Sequence, residues 1–105
     1  MILKIDNYYI DFDKIDYFSC FVYLNGCYNL YLFLHLKHNE KICLQFEIKN
    51  EEIGQYLKET NGFVLMKNLF KYLKEIQNDE EIVDLKFTIK YLIRKLRIGN
   101  DKITS

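Results

Sequence analysis

Three residues in the N-terminal half of the chain have side chains that could form a thiol-based catalytic site: Asp16, His35 and Cys43. A cysteine nucleophile needs a base to take its proton and a third group to orient that base, and these residue types supply all three. The strand pairing predicted below places them in one row across neighbouring strands, which lie about 4.8 Å apart. Because a flat sheet offers Cys43 no evident oxyanion hole, we expect no catalytic residues and a protein that is not an enzyme.

Motifs for metals and cofactors are also lacking in the sequence. Asp11, Asp13 and Asp16 form a carboxylate cluster without the glycine and closing glutamate of a calcium loop. His35 and His38 have no pair of cysteines at zinc spacing. The four glycines are scattered, so they form neither a P-loop nor a dinucleotide fingerprint. We therefore expect neither a cofactor nor a metal site.

Basic residues are concentrated near the C-terminus. Residues 86–105 carry six basic side chains and one acidic side chain, whereas the formal charge of the whole chain is zero. On a helix, most of these bases fall within about 80° of arc, beside Phe87 and Tyr91. Such a surface can contact phosphates or an acidic protein, although bases late in a helix also complement its dipole. The candidate anion-binding or nucleic-acid-binding residues are Lys86, Lys90, Arg94, Lys95 and Arg97.

The elements that position these residues are organised around Asn25-Gly26, a dipeptide that favours a two-residue type I′ hairpin turn. This turn predicts that Leu24 opposes Cys27 and that Phe21 opposes Leu30, with the apolar side chains on a core face. A third strand follows residues 38–40, in the register that sets Leu32 opposite Phe46. The predicted result is a three-stranded meander.

The other face of this predicted meander is partly apolar, although a solvated face should be polar. Two interpretations stay open. Helices or the N-terminal strands cover this face, or an aromatic patch is left exposed to bind a partner. The candidate partner-binding residues of this patch are Phe18, Tyr31 and Phe33.

Local signals predict the remaining elements. A short hairpin crosses Asp6-Asn7, Asn50 begins a first helix, and Asn61-Gly62 ends it. Helical spacing continues over residues 63–77, and a capping box at Asn78 and Glu81 predicts a third helix that ends at Gly99-Asn100. We predict an α+β fold in which an antiparallel meander sheet of about five strands packs against two to three C-terminal helices. The expected single domain comprises a β-sheet region over 1–49, a helical region over 50–99 and a tail over 100–105.

The sequence also indicates a cellular compartment. Cys20, Cys27 and Cys43 are an odd number of cysteines within predicted strands, which favours a reducing environment. The N-terminus lacks a signal-peptide pattern, and no apolar run approaches the ~18 residues of a membrane span. We expect a cytoplasmic protein that does not enter the membrane.

Function is expected to reside in surfaces. The chain contains no Pro, Trp or Ala, and its composition is typical of AT-rich genes. Our hypothesis is a small non-enzymatic protein-binding module, specifically a phage or mobile-element inhibitor of a host nucleoprotein complex that is anti-CRISPR-like. Its acidic residues could occupy a basic nucleic-acid channel of that partner. Two alternatives stay open: a nucleic-acid-binding accessory protein that uses the basic C-terminal helix, and a structural homodimer. The candidate acidic partner-binding residues are Asp11, Asp13, Asp79, Glu80, Glu81 and Asp84.

Overall fold

A computed structural model describes the backbone of residues 1–104 and the side chains of residues 1–96. The α+β class predicted from the sequence is confirmed. A single 3-10 turn at Phe12–Lys14 connects the N-terminal hairpin to the long strands. The strands are β1 (Ile2–Ile5), β2 (Tyr8–Asp11), β3 (Ile15–Asn25), β4 (Cys27–Leu36), β5 (Lys41–Ile48) and β6 (Ile82–Asp84), and the helices are α1 (Glu51–Glu59), α2 (Phe63–Ile76) and α3 (Leu85–Thr104).

The strands form two sheets of three strands each, instead of one sheet of about five. One is the antiparallel meander β3-β4-β5; the other has the order β2-β1-β6. The predicted hairpin across Asp6-Asn7 is present, with Ile5 paired to Tyr8. In the second sheet β6 runs parallel to β1, so residues far apart in the chain complete it.

Strand β6 replaces the predicted first turn of the third helix. Ile82 and Val83, both β-branched, pair with Ile2 and Leu3 of β1, and the Ile2 amide donates to the Glu81 carbonyl at 2.8 Å. The helix begins at Leu85, where the carboxylate of Asp84 accepts the Phe87 amide at 3.0 Å. The predicted capping box at Asn78 and Glu81 is therefore wrong, because pairing with β1 takes residues 82–84 from the helix.

Helix α3 also continues to Thr104, past Gly99-Asn100, where the sequence predicted its end. Glycine inside a helix costs only about 1 kcal/mol relative to alanine, so it weakens a helix without always ending it.

The turn between β3 and β4 differs from the prediction by one residue. Asn25 pairs directly with Cys27, and Gly26 alone, at φ +75°, forms the tip. The predicted type I′ turn is wrong, since it would need a positive φ at Asn25 as well. Because side chains alternate along a strand, this slip moves the side chains from Tyr17 to Leu24 to the opposite face, and an irregularity between Ile15 and Tyr17 ends it.

Strands β4 and β5 pair two residues away from the predicted register, with Leu32 opposite Leu44 and Leu30 opposite Phe46. A shift of two preserves the faces, so the predicted core face of these strands is retained. Leu30, Leu32 and Leu34 are fully buried on it.

Helices α1 and α2 pack against this inner face of the meander, while α3 packs against α2 and the second sheet. The Asn50 side chain accepts the Ile53 amide at 3.0 Å, which confirms the predicted start of α1. Asn61 and Gly62 have positive φ angles at the predicted junction between α1 and α2. A Cβ at Gly62 would collide with the sulfur of Cys20, so glycine lets the junction approach β3 closely. One hydrophobic core joins both sheets and the three helices.

Candidate functional site

The outward side of strands β3 and β4 carries a continuous set of aromatic rings, which we call the aromatic face. None of its residues is buried, and the described helices lie on the opposite side of the sheet. Tyr17, Phe21 and Tyr23 are 52%, 46% and 55% exposed. The aromatic face comprises Tyr17, Phe21, Tyr23, Tyr31, Phe33 and His35.

Cross-strand pairing orders these rings. Tyr17 opposes His35, and the two rings stack at 4.1 Å between centroids and 8° between planes. Phe21 opposes Tyr31 at 4.9 Å and also stacks diagonally on Phe33 at 5.8 Å. Stacking of this kind fixes the rings relative to one another and reduces the entropy lost when a partner binds. The face is therefore a preorganised apolar surface.

Polar groups fix this surface at a few points. The Ser19 hydroxyl and the Nε2 atom of His35 are hydrogen-bonded at 2.7 Å, which orients the imidazole beneath Tyr17. The ammonium of Lys41 lies 5.0 Å from the centre of the Phe33 ring, a cation–π contact. Gln45 and Glu47 are exposed on the neighbouring strand β5. Polar side chains thus border an aromatic centre, an arrangement typical of protein interfaces.

The structure retains two of the three predicted patch residues on this face and moves the third. Tyr31 and Phe33 lie on the aromatic face, but Phe18 opposes the fully buried Leu34 and packs against the core. Its predicted place beside Tyr31 and Phe33 is wrong because of the one-residue slip. The same slip brings in Tyr17, Phe21 and Tyr23, which the predicted register placed on the core face. Only the correct register could have identified them.

An apolar groove of about 800 Å³ adjoins the aromatic face where β3 meets α2. Tyr17 and Phe18 line it from β3, and Phe63, Met66 and Phe70 line it from α2. Phe63 is 68% exposed. Since Tyr17 belongs to both surfaces, exposed apolar area extends around the edge of the meander.

The predicted row of Asp16, His35 and Cys43 does not assemble. His35 opposes Tyr17 and Lys41, and Cys43 opposes Phe33, while the pairing is irregular at Asp16. This arrangement provides no base and carboxylate in line with the thiol of Cys43. On the other face, burial raises the pKa of the Cys20 thiol to about 11, which keeps it neutral and poorly nucleophilic.

The predicted basic residues are divided between two sides of α3. Lys86, Lys90 and Arg94 line a groove of about 590 Å³ between α3 and β5. Lys95 instead lies 5.1 Å from the centre of the Tyr91 ring, and interaction with Tyr91 raises its pKa. The side chain of Arg97 lies outside the described residues.

Most of the predicted acidic residues gather at one end of the β2-β1-β6 sheet. Ile2 of β1 lies between Asp11 of β2 and Ile82 of β6, which places residues 79–81 near the 3-10 turn that follows β2. The carboxylate of Asp11 accepts the amide of Asp13 at 3.0 Å, and Asp84 caps α3. These two carboxylates thus have local structural roles, whereas Asp79, Glu80 and Glu81 are exposed.

Among the described side chains, no three His, Cys, Asp or Glu residues are arranged to hold a metal ion. None of the described helices is both long and apolar enough to span a membrane.

Comparison of the chain with protein-family models, curated proteins and solved structures finds no match.

Proposed function

We propose that this chain is a non-enzymatic protein-binding module and that the aromatic face is its contact surface. The observation that carries the proposal is the exposure of Tyr17, Phe21 and Tyr23 on a sheet face that no described helix covers. Aromatic side chains bury a large area with few rotatable bonds, which makes them frequent hot spots of protein interfaces. A partner that covered this face would remove several adjacent rings from water at once.

The charge on this face favours a protein partner over nucleic acid. At the border of the aromatic face, Lys41 carries a positive charge and Glu47, on the same outward side of β5, carries a negative charge. Binding to a phosphate backbone derives most of its free energy from several Lys or Arg contacts. An aromatic centre with nearly balanced charge at its border is better suited to a protein surface.

The narrower role we propose for this module is inhibition of a host nucleoprotein complex by a phage or mobile element, in the manner of anti-CRISPR proteins. The support is the amino-acid composition, which is typical of AT-rich genes, and the acidic end of the β2-β1-β6 sheet. Exposed Asp79, Glu80 and Glu81 could face a basic nucleic-acid channel while the aromatic face supplies apolar contact area. In this role the captured partner is a nucleic-acid-binding protein, which mass spectrometry of the complex would identify.

The substitution Phe21→Glu places a charge at the centre of the aromatic face. We expect it to weaken capture of the partner by at least about tenfold, because burying an unpaired carboxylate in an interface costs several kcal/mol. The measurement is a pull-down with tagged protein from host lysate after nuclease treatment, followed by titration of the purified partner. Phe87→Glu is the matched control, because Phe87 is 66% exposed on α3, outside the aromatic face.

Equal binding by wild-type protein and Phe21→Glu, or loss of the partner on nuclease treatment, would contradict the proposal.

Light scattering of the isolated protein tests the alternative that the chain forms a homodimer. If the wild type has the mass of a dimer and Phe33→Glu has that of a monomer, the aromatic face is a seam between two copies.

A further inference from the structure

A second surface, distinct from the aromatic face, lies between β5 and α3. It is the groove of about 590 Å³ whose walls are residues 45–49 on one side and Lys86, Lys90 and Arg94 on the other. None of the six aromatic-face residues lines it, although Gln45 and Glu47 border both surfaces, and Phe46, the aromatic residue in the lining, is only 7% exposed. We call this surface the β5–α3 groove.

One wall of the β5–α3 groove is the edge of a sheet. Strand β5 pairs with β4 and is the last strand of the meander. Within the described residues, no backbone group of another element bonds to Lys41–Ile48 from the groove side. Outward-pointing amide and carbonyl groups of an edge strand are a template for one more strand.

The other wall supplies positive charge. Lys86, Lys90 and Arg94 line the groove from α3, and Lys49 adds a base from the β5 side, against Glu47 as the acid of the lining. Lys86 donates to Asp6 at 2.8 Å; among the described side chains, Lys90 and Arg94 make no ion pair. Both are exposed, so an acidic ligand could reach them without displacing another group.

The spacing of these bases matches an extended peptide. Lys86, Lys90 and Arg94 recur every four residues, which corresponds to about 6 Å along a helix at 1.5 Å per residue. Alternate residues of a β-strand are about 6.6–6.8 Å apart and point to the same side. Acidic side chains at every second position of an added strand would therefore meet successive bases of α3.

Nucleic acid fits the β5–α3 groove less well than a peptide. Single-stranded nucleic acid binds basic grooves that also present aromatic rings on which bases stack. The aromatic residues that the sequence places beside these bases are directed elsewhere: Tyr91 packs against Tyr72 of α2, and Phe87 does not line the groove. A strand edge also offers hydrogen bonds that a peptide backbone satisfies and a phosphodiester does not.

We infer that the β5–α3 groove binds an extended acidic segment of a partner protein, which adds as a fourth strand to β5 while its carboxylates meet Lys90 and Arg94. This site uses none of the aromatic-face residues and would give the module a second contact with the same partner or with another one. Two linked contacts raise the overall affinity above that of either contact alone.

The test uses a fluorescein-labelled peptide in which Glu alternates with Val, followed by fluorescence polarisation. We expect saturable binding that Lys90→Glu weakens by about tenfold or more, since the substitution reverses a charge within reach of the ligand. Lys95→Glu is the matched control, with the same charge change on the same helix but outside the groove lining. Phe21→Glu should bind the peptide as the wild type does, which separates this inference from the proposed function.

A second probe is the same peptide with alternate main-chain nitrogens methylated, which preserves its charge but removes strand hydrogen bonds. We expect its binding to be lost and, with the unmethylated peptide, slower hydrogen exchange in Lys41–Ile48. Failure of the unmethylated peptide to bind, equal binding of the methylated peptide, or equal weakening by Lys95→Glu would overturn the inference. So would Lys90-dependent binding of a single-stranded thymidine oligonucleotide in place of the peptide, which would make the groove a nucleic-acid site.

Discussion

At the scale of single residues, the two faces of the meander give cysteines different chemistry. Cys20 points to α2, where its thiol lies 3.6 Å from the Gly62 carbonyl oxygen as a weak donor. Cys43 is exposed opposite Phe33 on the outer face. The thiolate is the reactive form of cysteine, so burial and the raised pKa of about 11 both protect Cys20.

We predict that iodoacetamide modifies Cys43 at least about tenfold faster than Cys20 in the folded protein at about pH 8. The rate of modification at Cys20 should rise as the pH increases towards its pKa of about 11, because the thiolate fraction of Cys20 increases with pH. Peptide mapping by mass spectrometry measures each site. In denaturant the difference should disappear, and equal rates in the native protein would show that Cys20 is not protected.

At the scale of elements, strand β3 determines which side chains a partner can reach. Val22 opposes the fully buried Leu30 and packs against the core, whereas its neighbour Phe21 is outward. The register predicted from Asn25-Gly26 exchanges the two, with Phe21 facing the core and Val22 facing outward. Stability measurements on adjacent positions can therefore distinguish the two registers.

We predict that Val22→Glu lowers the free energy of unfolding by about 2–4 kcal/mol, because it places a charge against the apolar core. Phe21→Glu should cost about 1 kcal/mol, mainly through lost stacking with Tyr31 and Phe33. Urea denaturation followed by circular dichroism gives both values. A larger loss of stability for Phe21→Glu than for Val22→Glu would indicate the register in which Phe21 faces the core.

At the scale of the whole molecule, one hydrophobic core spans the two sheets and the helices. Leu3 of the β2-β1-β6 sheet and Leu32 of the meander are both fully buried in it, as is Leu69 of α2. Charge is distributed unevenly around this core, with acids at one end of the β2-β1-β6 sheet and bases along α3. A shared core lets the aromatic face and the β5–α3 groove act as fixed surfaces of one body.

We predict that Leu3→Ala and Leu32→Ala each lower the free energy of unfolding by about 2–5 kcal/mol and leave a single transition. The physical reason is that each deletion opens a cavity in the same core, although the residues belong to different sheets. Far-ultraviolet circular dichroism and tyrosine fluorescence should report coincident midpoints. Separate midpoints for Leu3→Ala would mean that the β2-β1-β6 sheet unfolds on its own.

Local signals in the sequence determined most of the elements. The N-cap at Asn50, the junction at Asn61-Gly62 and the hairpin across Asp6-Asn7 all lie where the sequence predicts them. Each of these features depends on hydrogen bonds and φ angles within a few residues, so a short stretch of sequence is sufficient to specify it. The alternation of Leu30, Leu32 and Leu34 likewise identified the core face of β4.

Only the tertiary structure decided the register of β3, the pairing of Ile82 and Val83 with β1, and the face that remains exposed. Both faces of β3 carry apolar side chains, so a one-residue slip changes little in local preference and packing against α1 and α2 selects between them. Residues 82–84 are separated from β1 by most of the chain, and no local pattern specifies such a contact. The aromatic face and the β5–α3 groove follow from these long-range choices, because each surface consists of residues that the fold, and not the sequence spacing, brings together.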